Sequence, residues 1–149
     1  RNIHAYVMGE HGDSEFVPWS QAFLATKPVL QICEESNGNL KTEMLEKISE
    51  DVKNAAYAII DAKKATYYGI GMALTRISKA ILGNENSILT VSACLNGDYD
   101  QEEVYTGVPC ILNQNGVRDI LHLKLTKEEK EKLTKSCDIL RNCFNELNI

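Results

Sequence analysis

Two consecutive apolar stripes at helical spacing constrain the fold of this chain more than any other feature. Between residues 42 and 83, apolar side chains recur every three or four positions, as in an amphipathic helix that buries one face. A single helix through both stripes would be unusually long for a globular domain, so we predict two helices separated near residues 63–66. Thr42 is the expected N-cap of the first helix, and Gly83 is the expected end of the second. We predict that the stripes are mostly core; their members are Leu45, Ile48, Val52, Ala55 and Ile59, then Tyr67, Ile70, Leu74, Ile77 and Ile81.

Three β-rich stretches follow the helices and are joined by short connections. Residues 88–95, 104–112 and 117–125 are rich in apolar and β-branched side chains, which favours strands. An Asn-Gly dipeptide between the last two is a strong hairpin signal, so these strands should form an antiparallel meander. A last amphipathic helix is predicted to begin after Thr126. The expected fold class is therefore α+β, an antiparallel sheet packed with long helices.

Charge and composition exclude several classes of function. The 149 residues carry a formal net charge of -5 with no basic cluster, which argues against a nucleic-acid-binding surface. No apolar run approaches the ~20 residues that a membrane-spanning helix needs, and no secretory signal pattern opens the chain. The five cysteines form no Cys-x-x-Cys pair and no ligand cluster. We therefore expect no zinc or other metal site, and a reducing, cytoplasmic location.

One histidine near the N-terminus has a glycine on each side. Residues 3–8 are predicted to form a strand, after which Gly9, His11 and Gly12 place an imidazole at a sharp turn. Histidine is the side chain whose ordinary pKa lies near neutral pH, so a positioned histidine is a natural general acid and base. The alternative interpretation is an ordinary turn residue.

The run around this histidine, GEHGDS at residues 9–14, resembles the active-site histidine motif of the L-lactate dehydrogenase family. Other stretches resemble the family's substrate-pocket helix, its late strands and the entry to its C-terminal helix. In chain order these are KKATYYGIG at residues 63–71, YTGVP at 105–109, NGV at 115–117 and LTKEE at 125–129. The matches cover nearly the whole chain in the family's order, which is far more specific than any single motif. The glutamate before the histidine, where related malate dehydrogenases more often have a second glycine, favours the lactate side.

The resemblance implies that residues 1–149 form the C-terminal, substrate-binding domain of a bacterial-type, NAD-dependent L-lactate dehydrogenase. Such an enzyme interconverts pyruvate and L-lactate by hydride transfer, with His11 donating or accepting the proton. The resemblance also implies that Thr66 lies beside the methyl end of the substrate and Ile70 beside the nicotinamide ring. The family commonly has glycine two positions before Thr66, where this chain has Lys64.

The dinucleotide-binding half of such an enzyme has no counterpart in this sequence. There is no Gly-x-Gly-x-x-Gly loop after a strand and no alternating strand–helix half. By resemblance, most NAD contacts belong to an N-terminal Rossmann domain that this chain lacks. Two substrate-binding arginines and the aspartate that orients the histidine are expected in the same missing part. We therefore expect the isolated chain to be inactive, and the complete protein to form homodimers or homotetramers as the family does.

A second histidine, His4, receives a different role from the same resemblance. In bacterial members of the family, a histidine at this position helps to bind the activator fructose 1,6-bisphosphate across a subunit interface. His4 and His11 are an odd number of positions apart, so a continuous strand would direct them to opposite faces. The alternative is an ordinary surface or interface histidine.

Other functions remain open from the sequence. L-2-hydroxyisocaproate and malate dehydrogenases belong to the same group and differ in the keto acid that they reduce. A non-catalytic oligomerisation module would use the exposed helix faces only for assembly. A metal-assisted hydrolase would need His4, His11 and Asp13 around one ion, and placement on opposite strand faces argues against it.

Overall fold

The structure is a computed structural model that describes residues 2–147, and within that range it contains six strands and four α-helices. The strands are β1 (Ile3–His4), β2 (Phe23–Leu24), β3 (Lys27–Pro28), β4 (Ser87–Leu95), β5 (Val104–Asn113) and β6 (Gly116–Ile120). The α-helices are α1 (Val29–Glu35), α2 (Thr42–Lys63), α3 (Tyr67–Leu82) and α4 (Lys127–Glu146), and short 3₁₀ helices occupy Trp19–Gln21 and Asp98–Asp100. The predicted α+β class is confirmed.

Strands β4, β5 and β6 form the predicted antiparallel meander, with β5 in the centre. The last strand ends at Ile120, earlier than the predicted residue 125. Beyond it, the Tyr99 hydroxyl donates to the carbonyl of Leu121 and accepts from the N–H of Leu123, so this backbone is satisfied outside a ladder. The two-residue strands β1, β2 and β3 form a second, small antiparallel sheet.

The hydrophobic core lies between the meander, α4 and the start of the chain. Its buried members come from all of these regions and from α3. They are Met8, Phe16, Ala80, Ala93, Leu95, Val104, Val108, Cys110, Leu112, Leu125, Leu133 and Cys137. Because burial of apolar surface is the main favourable term in folding, this cluster fixes where the N-terminal segment and α4 sit on the sheet.

The predicted break between the two long helices is confirmed, but their predicted burial is wrong. Helix α2 ends at Lys63 and α3 begins at Tyr67. Leu45 is the one buried member of the two stripes. The exposed members are Ile48, Val52, Ala55, Ile59, Tyr67, Ile70 and Leu74. Spacing indicates that one face of each helix avoids water, yet no element within residues 2–147 packs over most of that face. Neither of these helices, nor any other in that range, is long and apolar enough to span a membrane.

The N-terminal segment has shorter elements than the sequence pattern suggested. The strand predicted over residues 3–8 is regular only at Ile3–His4. Residues 20–25 form no α-helix, because the 3₁₀ helix Trp19–Gln21 leads there into β2. Helix α1, which the pattern did not indicate, begins directly after Pro28. Strands of two residues are too short to show the alternation on which such predictions rest.

The predicted cap of the last helix is confirmed and extends into a polar cluster. Thr126 Oγ1 accepts the Glu129 N–H at 3.3 Å, and Glu129 Oε2 accepts the Thr126 N–H at 2.8 Å, which is a capping box. The same carboxylate accepts the Ser20 N–H at 3.1 Å and the Ser20 hydroxyl at 2.6 Å. Burial acts to raise the pKa of Glu129, but the hydrogen bonds from Ser20 and Thr126 outweigh it and hold that pKa below its ordinary value. The cluster therefore ties the N-terminal segment to α4.

We predict that Glu129→Gln lowers the free energy of unfolding by ~1–3 kcal/mol near neutral pH, because an amide offers one acceptor oxygen where a carboxylate offers two. The folded-state pKa of Glu129 lies below its ordinary value of 4.5, so its carboxylate stabilises the fold fully at pH values well above 4.5. That contribution is lost as the pH falls through the folded-state value. Denaturant unfolding at about pH 7 and about pH 4 should therefore show a difference between variant and wild type that shrinks in acid.

The neighbouring exposed carboxylate provides the control. Glu128 contacts Lys132 at the surface, so Glu128→Gln should change the free energy of unfolding by less than ~0.5 kcal/mol. Equal losses in the two variants would contradict the structural role of Glu129.

Candidate functional site

The candidate site is the loop of residues 9–14, whose base is fixed in the core. The Met8 N–H donates to the Phe16 carbonyl at 2.8 Å, and the Phe16 N–H donates to the Met8 carbonyl at 3.0 Å. Both side chains are buried. The two ends of the loop therefore lie next to buried residues, Met8 and Phe16, whose backbones are hydrogen-bonded to each other.

A pair of glycines joins this loop to the central strand. Gly9 and Gly107 each donate their N–H to the other's carbonyl at 2.9 Å. Gly9 has a φ of +99°, in the left-handed region that favours glycine, and a Cβ on Gly107 would lie 2.8 Å from the Gly9 carbonyl oxygen. A side chain on Gly107 would therefore collide with the Gly9 backbone, while Gly9 itself is favoured by its positive φ.

His11 projects from the loop into solvent. Its side chain is 100% exposed, and its Nδ1 lies 3.8 Å from the Oε2 of Glu15. This geometry leaves Nε2 accessible to a ligand. The sequence pattern did not single out Glu15, although its position four residues after the histidine was visible.

The other predicted histidine lies elsewhere on the surface. His4 pairs with Phe23 of β2 and is exposed. Because β1 ends at His4, no continuous strand leads to His11, and the alternation of faces along a strand does not relate the two rings. Within residues 2–147, no group of three histidine, cysteine, aspartate or glutamate side chains could hold a metal ion.

Asp13 contacts the first long helix. The Tyr57 hydroxyl of α2 donates to Asp13 Oδ1 at 3.0 Å. This hydrogen bond and the negative charge of Asp13 raise the pKa of Tyr57 above its ordinary value. Tyr57 carried no sequence signal beyond its place on an amphipathic helix.

Two further predicted site residues lie at the start of α3. Thr66 is the N-cap residue of this helix, but its side chain caps no backbone N–H. Ile70 is 54% exposed and lies four residues later, in the first turn of the helix. Among the described residues, no hydrogen bond or ion pair joins α3 to the His11 loop.

Lys64 occupies a backbone position that suits glycine. Its φ of 59° and ψ of 12° place it in the left-handed region at the end of α2. Its N–H donates to the Ile60 carbonyl at 2.7 Å, which ends the helix. A glycine at this position would adopt the same conformation without the steric cost that a side chain adds.

Two of the three buried cysteines, Cys110 and Cys137, are poor candidates for a nucleophile. Burial raises the pKa of the Cys110 thiol to about 11, and burial also raises the pKa of Cys137. Both side chains belong to the core and act there as small hydrophobic groups.

Comparison with known proteins gives one family along the chain. The family described as lactate/malate dehydrogenase, alpha/beta C-terminal domain, matches residues 1–148. L-lactate dehydrogenase 2 of Bacillus cereus is 51% identical over 141 residues, which is 95% of this chain and 45% of that protein. L-lactate dehydrogenase 2 of Lactococcus lactis subsp. lactis is 50% identical over 147 residues, or 99% of this chain and 46% of that protein.

Solved structures give the same picture. A lactate dehydrogenase from a Medee basin deep-sea metagenome library matches with a TM-score of 0.94 and 49% identity, over 100% of this chain and 48% of that one. The minor L-lactate dehydrogenase from Enterococcus mundtii in its ligand-bound form matches with a TM-score of 0.93 and 48% identity, over 98% of this chain and 46% of that one. The chain thus spans about half the length of the relatives that it matches.

Proposed function

The chain belongs to the lactate/malate dehydrogenase family, whose C-terminal domain it matches, and from that premise we propose that it is the catalytic domain of an NAD-dependent L-lactate dehydrogenase. The observation that carries the proposal is the exposed His11 ring on a loop that is fixed against β5. Relatives named L-lactate dehydrogenase support pyruvate and L-lactate as the substrate pair. The keto acids of L-2-hydroxyisocaproate and malate dehydrogenases are the alternatives within the family.

In this proposal, His11 moves the proton of the reaction. Reduction of pyruvate requires a hydride at the carbonyl carbon and a proton at the carbonyl oxygen, where negative charge develops. Nδ1 of His11 faces the Glu15 carboxylate at 3.8 Å, which leaves Nε2 for the substrate. The protonated ring therefore donates from Nε2 to the carbonyl oxygen of pyruvate. In the reverse direction, Nε2 of the neutral ring accepts the hydroxyl proton of L-lactate.

The described residues fit one end of the cofactor only. NAD, when bound, supplies or accepts the hydride. The half-exposed Ile70 offers an apolar surface for the nicotinamide ring, and Thr66 is assigned to the methyl end of the substrate. No glycine-rich phosphate loop after a strand occurs in residues 2–147. We therefore assign the remaining NAD contacts to a separate N-terminal dinucleotide-binding domain.

The proposed setting is a cytoplasmic homo-oligomer. All five cysteines are free, which suits a reducing compartment. Apolar side chains remain exposed along α2 and α3, and extended apolar surface of this kind marks a contact site. We assign this surface partly to the N-terminal domain and partly to further subunits.

A non-catalytic assembly module is the second candidate function. The observation that favours it is the same exposed apolar surface of α2 and α3, which would serve assembly without any chemistry. The two candidates differ in whether completion of the chain with a dinucleotide-binding domain produces turnover.

We predict that the isolated chain shows no pyruvate-dependent oxidation of NADH, because it lacks a platform for the hydride donor. Activity should appear when the chain is joined to the N-terminal half of the Lactococcus lactis relative, a protein called the two-domain enzyme below. The decrease in NADH absorbance, with and without pyruvate, measures the activity of the isolated chain and of the two-domain enzyme. Turnover by the isolated chain would refute the domain assignment, and a folded but inactive two-domain enzyme would favour the assembly module.

In the two-domain enzyme, His11→Gln should lower kcat by ~10²–10⁴-fold while the fold persists, because glutamine can hydrogen-bond but cannot carry the proton. His122→Gln is the matched control, since His122 is an exposed histidine whose partner, Asp98, does not belong to the loop of residues 9–14. This control should leave kcat within about twofold. Near-normal kcat in folded His11→Gln would assign proton transfer to another residue.

We further propose that His4 binds the phosphate of fructose 1,6-bisphosphate. The ring is exposed, and a protonated imidazole offers both charge and a hydrogen bond to a phosphate oxygen. Activation requires that this effector bind the substrate-competent assembly more tightly than the inactive one.

The bisphosphate should activate the two-domain enzyme more strongly at about pH 6 than at about pH 8, because a protonated imidazole binds a phosphate oxygen more tightly than a neutral one. His4→Ala should remove most of that difference, as measured by titration of the rate with effector. If His4→Ala responds like wild type at both pH values, His4 is not the ligand. If wild type does not respond, the allosteric role is wrong and His4 is a structural residue.

A further inference from the structure

The hydroxyl of Ser136, on α4, connects the two flanks of the His11 loop. Ser136 is 0% exposed. Its Oγ accepts the N–H of Glu10, the residue directly before His11, at 2.5 Å. The same Oγ lies 2.9 Å from the Oγ of Ser14, at the other end of the loop. One buried group thus contacts the chain on both sides of the histidine.

The donors in this cluster follow from the number of hydrogens available. The Ser14 hydroxyl donates its single hydrogen to the Glu10 carboxylate, so toward Ser136 it can only accept. The Ser136 hydroxyl therefore donates to Ser14 while it accepts from the Glu10 N–H. These three bonds form a closed ring that starts at the Glu10 backbone and ends on the Glu10 carboxylate. Hydrogen bonds that end on a charged acceptor are among the stronger ones, and successive bonds polarise one another.

Close packing holds the Ser136 hydroxyl in this ring. A Cβ on Gly9 would lie 2.6 Å from Ser136 Oγ, so the absent side chain of Gly9 is what lets the hydroxyl reach the loop backbone.

A further bond from the loop, between Asp13 and Tyr57, involves a tyrosine that is itself 57% exposed. Helix α4 therefore provides the buried anchor of the loop, and α2 provides an exposed one.

We propose that Ser136 is a positioning residue for His11. Its hydroxyl fixes the loop, and hence the place of the imidazole, without touching the substrate. This inference rests on the proposed role of His11 in proton transfer. A misplacement of about 1 Å in a catalytic group can cost ~100-fold in rate, so a buried bond beside His11 has leverage on kcat.

Amide hydrogen exchange of the chain itself tests the contact. Ser136→Ala should raise the exchange rate of the Glu10 amide by about tenfold or more beyond the change in global opening, because that N–H loses its partner. Ser14→Ala breaks the ring from the less buried side and should raise the same rate by a smaller factor. Cys137→Ala is the matched control, because it removes one buried heavy atom from the next residue of α4. In this variant, the exchange rate of the Glu10 amide should change only as much as global opening does.

Kinetics of the two-domain enzyme tests the positioning role. Ser136→Ala should lower kcat by ~10–100-fold with a smaller change in the KM for pyruvate, because proton donation matters most in the transition state. In a His11→Gln background, the same substitution should change kcat by less than about twofold, since Ser136 acts through His11. A merely structural serine would lower kcat by the same factor in both backgrounds.

The outcomes separate the two proposals. If His11→Gln lowers kcat but neither Ser136→Ala nor Ser14→Ala does, the positioning role is wrong and the proposed function stands. If His11→Gln leaves kcat unchanged, the proposed function fails, and exchange at Glu10 still reports whether Ser136 fixes the loop. If Ser136→Ala does not fold, Ser14→Ala decides by the same comparison of backgrounds.

Discussion

The paired backbones of Gly9 and Gly107 are the contact on which the candidate site depends. β5 is paired with β4 along its length, but β6 pairs with it only from Cys110 onward. The early end of β6 leaves one edge of β5 open at Gly107, and Gly9 takes the place that a longer β6 would fill. The loop thus inherits the rigidity of a central strand, although it lies in an irregular part of the chain. A sheet with a full-length third strand would have no room for it.

The elements that the sequence predicts well are those whose evidence is local. Helix α4 and strands β4 and β5 show their period within a single window, and the cap at Thr126 lies next to the helix that it begins. The exposed face of α2 was predicted as core because spacing reports that a face is apolar, not what covers it. The site divides in the same way. The histidine between glycines was visible, whereas the bond from Ser136 to Glu10 joins residues 126 positions apart, and no single-sequence pattern reaches that far.

Helix α2 is held to the remaining described chain by few side chains. Leu45 is buried, Trp19 Nε1 donates to Ser49 Oγ at 3.0 Å, and Tyr57 bonds to Asp13. Two of these contacts reach the segment that carries His11 or directly follows it. The helix therefore connects an uncovered apolar surface with the loop, while α4 connects the loop with the core. The contact from α4 is buried and the contact from α2 is exposed, so α4 should restrict the motion of the loop more than α2 does.

The left-handed residue at the end of α2 shows what a lysine can add where glycine would be easier. Lys64 bears a conformational cost of ~1 kcal/mol that glycine would avoid. In exchange, its Nζ donates to the Asp61 carbonyl at 2.6 Å, one of the last carbonyls of the helix. A cation at this end lies at the negative pole of the helix macrodipole, where it is favoured. At the connection between α2 and α3, the favourable interaction of the Lys64 charge with the helix end thus offsets the conformational cost of a left-handed lysine. Salt screens such an interaction, so the stability of this connection should depend on ionic strength, whereas with glycine at this position it would not.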